Sequence, residues 1–273
     1  MNINEQLNAL YKSISPSIFE ALDIYRKQLN KKISVYKEKN QIAEAKESEK
    51  KWPGFPFFIK APQSYESADI KLMIFGQESN NFAPHKKDGK GYISYDSQTL
   101  IEDIACEYDC VFSKDEIYKT DTHYFWKGVR TFINMLKKKN ENLKIDFIWN
   151  NLIKMEYSGE MNFPKDLYEP IIAPYLNEII PKEIKILKPD YVVFFTGNTD
   201  DYEKALSDIF QIDEKSKEAI DGFDKNKICA LSLPNIRKSF RTYHPNYLKR
   251  SGLEKSIFEK ISDIISADIK QRQ

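Results

Sequence analysis

The 273-residue chain (32.1 kDa) is 41% hydrophobic and 30% charged, ordinary values that leave enough apolar mass for one sizeable domain with a real core. Its formal net charge is +1. The opening MNINEQLNALYKSISPSIFE has no basic start followed by an apolar run, and no stretch approaches the length of a membrane span, so a cytoplasmic protein with no membrane partner is expected.

In chain order, residues 16–50 read as helix, with apolar residues three and four apart in PSIFEALDIYRKQLNKKISVYKEKN and a charged end in AEAKESEKK. Residues 1–50 are read as a helical arm and residues 51–273 as the main domain. DIKLMIFG (69–76) is a short apolar run ending in glycine, suited to a buried strand. SQTLIEDIACEYDCVF and HYFWKGVRTFINMLKKK are amphipathic helices. Cys106 and Cys110 share one face of the first and lack the CxxC spacing of a zinc knuckle. Together with Cys229 they are expected to be buried, inert thiols, with no metal and no cofactor.

KIDFIWNNL gives a second strand, and the segment from Leu167 to Leu187 is helical despite its prolines. KPDYVVFFTGN gives a third strand, followed by the helix DDYEKALSDIF. KICALSL (227–233) gives a fourth strand, and SGLEKSIFEKISDIISADIK closes with a helix. Strands alternating with helices predict an α/β fold: a three-layer α/β/α sandwich on a four-stranded, mainly parallel sheet.

Ligands of such sheets bind beyond the carboxyl ends of the strands. There the sequence places Gln77 and Glu78 after the first strand, Asn150 and Asn151 at the end of the second, and Thr196-Gly197-Asn198 after the third. His244 lies in the loop after the fourth. Glu78 over an apolar floor can be a poised base that aligns a water molecule. An asparagine at a strand end can offer one donor and one acceptor to the edge of a base, and only one of the adjacent pair can face the site. Pro245 restricts His244 to extended geometry. From Lys225 to Leu253 there are seven Lys or Arg residues and no Asp or Glu, interleaved with Phe240, Tyr243 and Tyr247. That pattern fits a phosphate backbone, with Arg237, Lys238, Arg241, Tyr247, Leu248, Lys249 and Arg250 as DNA contacts. Phe82, Tyr92 and Tyr95, in the loop after Glu78, are candidates to stack on a base.

FGQES, FIWNNLIK, PDYVVFFTGN and TYHPNYLKR, in this order, resemble the motifs of the uracil-DNA glycosylase superfamily over about residues 52–267. The resemblance implies a monofunctional DNA glycosylase, expected to be a monomer, that hydrolyses the N-glycosidic bond of uracil or another modified or damaged base rotated out of DNA. It puts Glu78 in the place of the water-directing acid and His244 in the place of the group that stabilises the departing base. Asn151, with Asn150 as the alternative, takes the place of the base reader, and Gln77, Phe82 and Tyr92 line the base pocket. Tyr247 or Leu248 would fill the gap left in the stack. Ser79 stands where the family has proline, Asn80 where some members have tyrosine, and Asn246 where the family has serine, so the accepted base is left open. A non-catalytic DNA- or nucleotide-binding module on the same fold is the alternative, and a small-molecule or nucleotide hydrolase is a third reading.

Overall fold

The computed structural model describes residues 1–40, 56–78, 101, 108–109, 123–155 and 165–272. Its sheet has six strands: β1 (Ile70–Glu78), β2 (Ile145–Ile153), β3 (Tyr191–Phe194), β4 (Lys217–Ala219), β5 (Ile228–Leu231) and β6 (Lys238–Thr242), in the order β2-β1-β3-β6-β5-β4. The first four in that order run parallel, and β5 and β4 continue the sheet antiparallel. The expected mixed α/β class is present, but the four-stranded sheet is not.

The difference lies in KSFRT. This segment has one apolar residue, Phe240, among Lys238, Ser239, Arg241 and Thr242, which hides it from a search for apolar runs. It nevertheless pairs with β3 on one side and β5 on the other. Its polar side chains are accommodated by partners: Ser239 Oγ donates to the Leu231 carbonyl (2.7 Å) and Thr242 Oγ1 to that of Lys227 (2.8 Å). KICALSL is therefore not the parallel strand that precedes His244. It is antiparallel β5, and β6 delivers His244 to the carboxyl edge. Cys229 on β5 is buried, and burial pushes its thiol up, as an inert thiol requires.

Helices cover both faces. They are α1 (Ile3–Asn40), α2 (Gln63–Glu66), α3 (Tyr124–Lys139), α4 (Lys165–Ile171), α5 (Ala173–Asn177), α6 (Ile179–Leu187), α7 (Asp200–Phe210), α8 (Pro245–Arg250) and α9 (Glu254–Lys270). Adjacent Phe194 and Phe195 point to opposite faces of the sheet. Phe194 stacks on Phe75 and meets Phe210 of α7, whereas Phe195 meets Phe132 of α3 and Phe258 of α9. The expected helical segment from Leu167 to Leu187 is broken into α4, α5 and α6, with Pro170 near the end of the first and Pro174 at the start of the second.

Helix α1 is not an arm. Leu7, Tyr11, Ile18, Leu22, Tyr25 and Leu29 form one buried face that belongs to the main core. Tyr11 Oη also donates to Glu183 Oε1 (2.7 Å) and accepts from the Ile59 amide (3.1 Å). Glu183 in turn holds Lys154 (2.7 Å) and the amide of Asn150 (2.8 Å), all of them buried. Five residues from α1, β2, its following turn, α6 and the segment before α2 thus close one satisfied polar network. No described helix is long and apolar enough to cross a membrane.

Candidate functional site

The chain passes from β1 to β2 on one side and then crosses to β3 on the other side of β1, so the carboxyl ends of β1 and β3 mark the point where the strand order reverses. Gln77 bridges it: its Nε2 donates to the Thr196 carbonyl at 2.9 Å. That bond gives Gln77 a role in holding the two strand ends together. Gly76, Gln77 and Glu78 are still in β1, and Asn150 and Asn151 lie inside β2 rather than ending it.

The two asparagines face opposite sides, and the structure separates their roles. Asn150 is locked in the network with Lys154 and Glu183, which removes it as a base reader. Asn151 lies across from Gly76 in the parallel register. Its Oδ1 accepts from Trp149 Nε1 (3.1 Å), while its buried Nδ2 has no partner. The indole can only donate, so Oδ1 is the atom turned to Trp149, and Nδ2 is left as a buried donor without a partner. A Cβ on Gly76 would stand 2.6 Å from Asn151 Oδ1, so glycine is required for this amide to lie against β1.

Glu78 is half-buried, and its Oε1 is shut from solvent without a hydrogen-bond partner. Burial, and secondarily the charge of Asp201, raises its carboxyl above the usual range. Its charge in turn helps to keep Tyr168 and Tyr202 protonated, after burial itself. A carboxylate so placed holds a basic, poorly solvated oxygen, the property needed to orient and polarise a water molecule.

His244 stands two residues beyond β6, with only β3 between β6 and β1. At the usual strand spacing the two strand ends are about 10 Å apart. Its Nδ1 accepts from the Asn246 amide (3.1 Å), capping α8. The neutral ring must therefore carry its proton on Nε2, as a donor. Burial first, then the Arg250 charge, lowers its pKa to about 4, so it is neutral near pH 7. The Phe125 ring lies 5.5 Å from the imidazole, and its tip is 3.3 Å from where a Gly76 Cβ would be. Phe125 thereby links His244 to the Gly76–Asn151 floor.

The expected DNA-contacting run is divided. Arg237 immediately precedes β6 and Lys238 opens it, at the opposite edge of the sheet from His244, and Arg237 pairs with Asp190 (3.0 Å). Arg241 is 2% exposed, faces Glu203 (3.3 Å) and donates to the Asn226 carbonyl (2.6 Å). It is a structural cation of the core and not a surface contact. Leu248 is fully buried and cannot enter a base stack. Tyr247, Lys249 and Arg250 do lie beside His244 on α8. A run without acids of its own recruits acids from elsewhere once folded, here Asp190 for Arg237 and Glu203 for Arg241. Phe82, Tyr92 and Tyr95, with Ser79, Asn80, Cys106 and Cys110, lie outside the described residues.

Trp149, Gly128 and Phe125 lie in segments that the sequence marks only as a strand and an amphipathic helix. A Cβ on Gly128 would fall 2.2 Å from the Pro245 ring, so α3 presses directly on the His-Pro turn. A glycine in the middle of the amphipathic pattern FWKGVRTF was the available signal of such a close approach. The described residues contain no group of three or more His, Cys, Asp or Glu arranged to hold a metal ion. Comparison with models of known protein families and with curated proteins gives no match.

Proposed function

We propose that the chain is a monofunctional DNA glycosylase that hydrolyses the N-glycosidic bond of uracil or another modified base held at the carboxyl edge of the sheet. The supporting observation is the placement, at one edge of the sheet on strand ends separated only by β3, of a carboxylate with raised basicity and a neutral imidazole whose Nε2 carries a proton. As the bond lengthens, the sugar gains positive charge and the departing base negative charge. Glu78 directs water to the sugar and stabilises its charge. His244 Nε2–H donates to the base oxygen that becomes negative. The unpartnered Nδ2 of Asn151 donates to the edge of the base.

The internal pairing of Arg237 and Arg241 favours a second reading, in which the site takes a free nucleoside or nucleotide rather than a long strand. One experiment separates the two. Oligonucleotides bearing uracil, hypoxanthine, oxidised or hypermodified bases are incubated with the protein and scored for alkali-labile abasic sites, beside the matching free nucleosides. Abasic sites in at least one oligonucleotide are expected. Release from nucleosides alone, insensitive to salt, would replace the first reading with the second, and no release from any substrate would leave only a binding module.

A further inference from the structure

We propose that the surface beside His244 is a stacking platform for single-stranded DNA, so that the substrate strand is unpaired when it reaches the site. The inference rests on the glycosylase reading for its consequence but on separate residues for its geometry. Tyr124 and Tyr247, which are 49% and 41% exposed, are among the few large apolar side chains left open to solvent among the described residues. They lie on α3 and α8, the two helices pressed together at Gly128 and Pro245, so both rings belong to the elements that carry the His-Pro turn. Tyr247 is backed by Tyr243, with ring centroids 4.3 Å apart, and Tyr243 packs against Gly197 at the end of β3. Lys249 Nζ lies 5.2 Å from the Tyr124 ring centre. Exposed rings held in place by a second ring or a cation have little conformational freedom to lose when a base stacks on them.

The cations fit the same strand. Lys249 and Arg250 follow Tyr247 on α8, both exposed, with Lys249 over the Tyr124 ring, so each can meet a phosphate of a strand stacked on these rings. A duplex demands more: a broad basic surface and an apolar wedge to open the stack. Among the described residues, Arg237 and Lys238 are at the far edge of the sheet, Arg241 is internal and Leu248 is buried. Aromatic rings with two local cations serve an unpaired strand, where every base offers a face and no opening is needed.

Fluorescence anisotropy of labelled dT15, alone or annealed to dA15, tests this with the full chain, since thymine strands report binding without requiring turnover. The single strand should bind at least about 10-fold more tightly than the duplex. Tyr124→Ser and Tyr247→Ser should each weaken single-strand binding by roughly 10-fold, with little effect on the duplex. Lys249→Ala and Arg250→Ala should each flatten the salt dependence by about 0.7 in log–log slope. These side chains are on the surface, and circular dichroism checks that the variants remain folded. Equal or tighter duplex binding, tyrosine variants with unchanged dT15 affinity, or tighter binding of rU15 than of dT15 would each overturn the platform. Base release that shows no single-strand preference would remove this inference and leave the glycosylase reading. Binding of dT15 with no base release from any oligonucleotide would remove the glycosylase reading and leave the platform.

Discussion

Glu78 and His244 show how position changes the chemistry of ordinary side chains. Burial raises the Glu78 carboxyl above its ordinary range and lowers the His244 pKa to about 4, which leaves the imidazole neutral near pH 7. Glu78→Gln should lower base release by about 10²- to 10⁴-fold and His244→Ala by about 10²- to 10³-fold, in single-turnover assays on the best substrate of the panel. Because Glu78 acts as the carboxylate, activity should rise with pH through a midpoint above the ordinary glutamate value. Protonating His244 contributes no second limb above about pH 5. The histidine also leaves a mark on stability. Between its unfolded value near 6.5 and its folded value of about 4, the native state binds fewer protons than the unfolded chain, so acidification through this window is destabilising, by up to about 3 kcal/mol. Urea unfolding at pH 7 and pH 4.5 should show that loss in the wild type and a smaller one in His244→Asn, whose side-chain oxygen can still cap α8.

At the scale of elements, the site depends on two glycines that admit close approach. Gly128 lets α3 seat Pro245, and Gly76 lets Asn151 lie against β1. Gly128→Ala gains helix propensity of about 1 kcal/mol but places a methyl inside the Pro245 ring, an overpacking that costs about 1–3 kcal/mol. Base release should therefore fall more than thermal stability does, because the turn carrying His244 is what must move. Gly76→Ala should mainly raise KM, by displacing the Asn151 amide. The sequence revealed β1, β2 and β3 because each holds a continuous apolar run, Leu72–Phe75, Phe147–Trp149 and Tyr191–Phe194, as strands covered on both faces do. It concealed β6 because Ser239, Arg241 and Thr242 are made tolerable only by Leu231, Asn226, Glu203 and Lys227, residues distant in the chain or on another element.

For the whole molecule, the network of Tyr11, Asn150, Lys154 and Glu183 ties the N-terminal helix to the sheet. Lys154→Met should cost about 3–5 kcal/mol in denaturant unfolding, because it leaves the Glu183 carboxylate buried and without its cation. Adding Glu183→Leu should recover part of that loss, and removal of residues 1–40 should prevent folding, since the core would lose an entire helical face. The apolar runs, their alternation with amphipathic helices and the polar residues at strand ends were determined by the sequence itself, because periodicity and turn chemistry are local properties. Tertiary structure alone decided which asparagine faces the site, which arginines are already paired, and that α1 is part of the core. Each of these turns on the partner that folding brings to a side chain, and no local pattern encodes that partner.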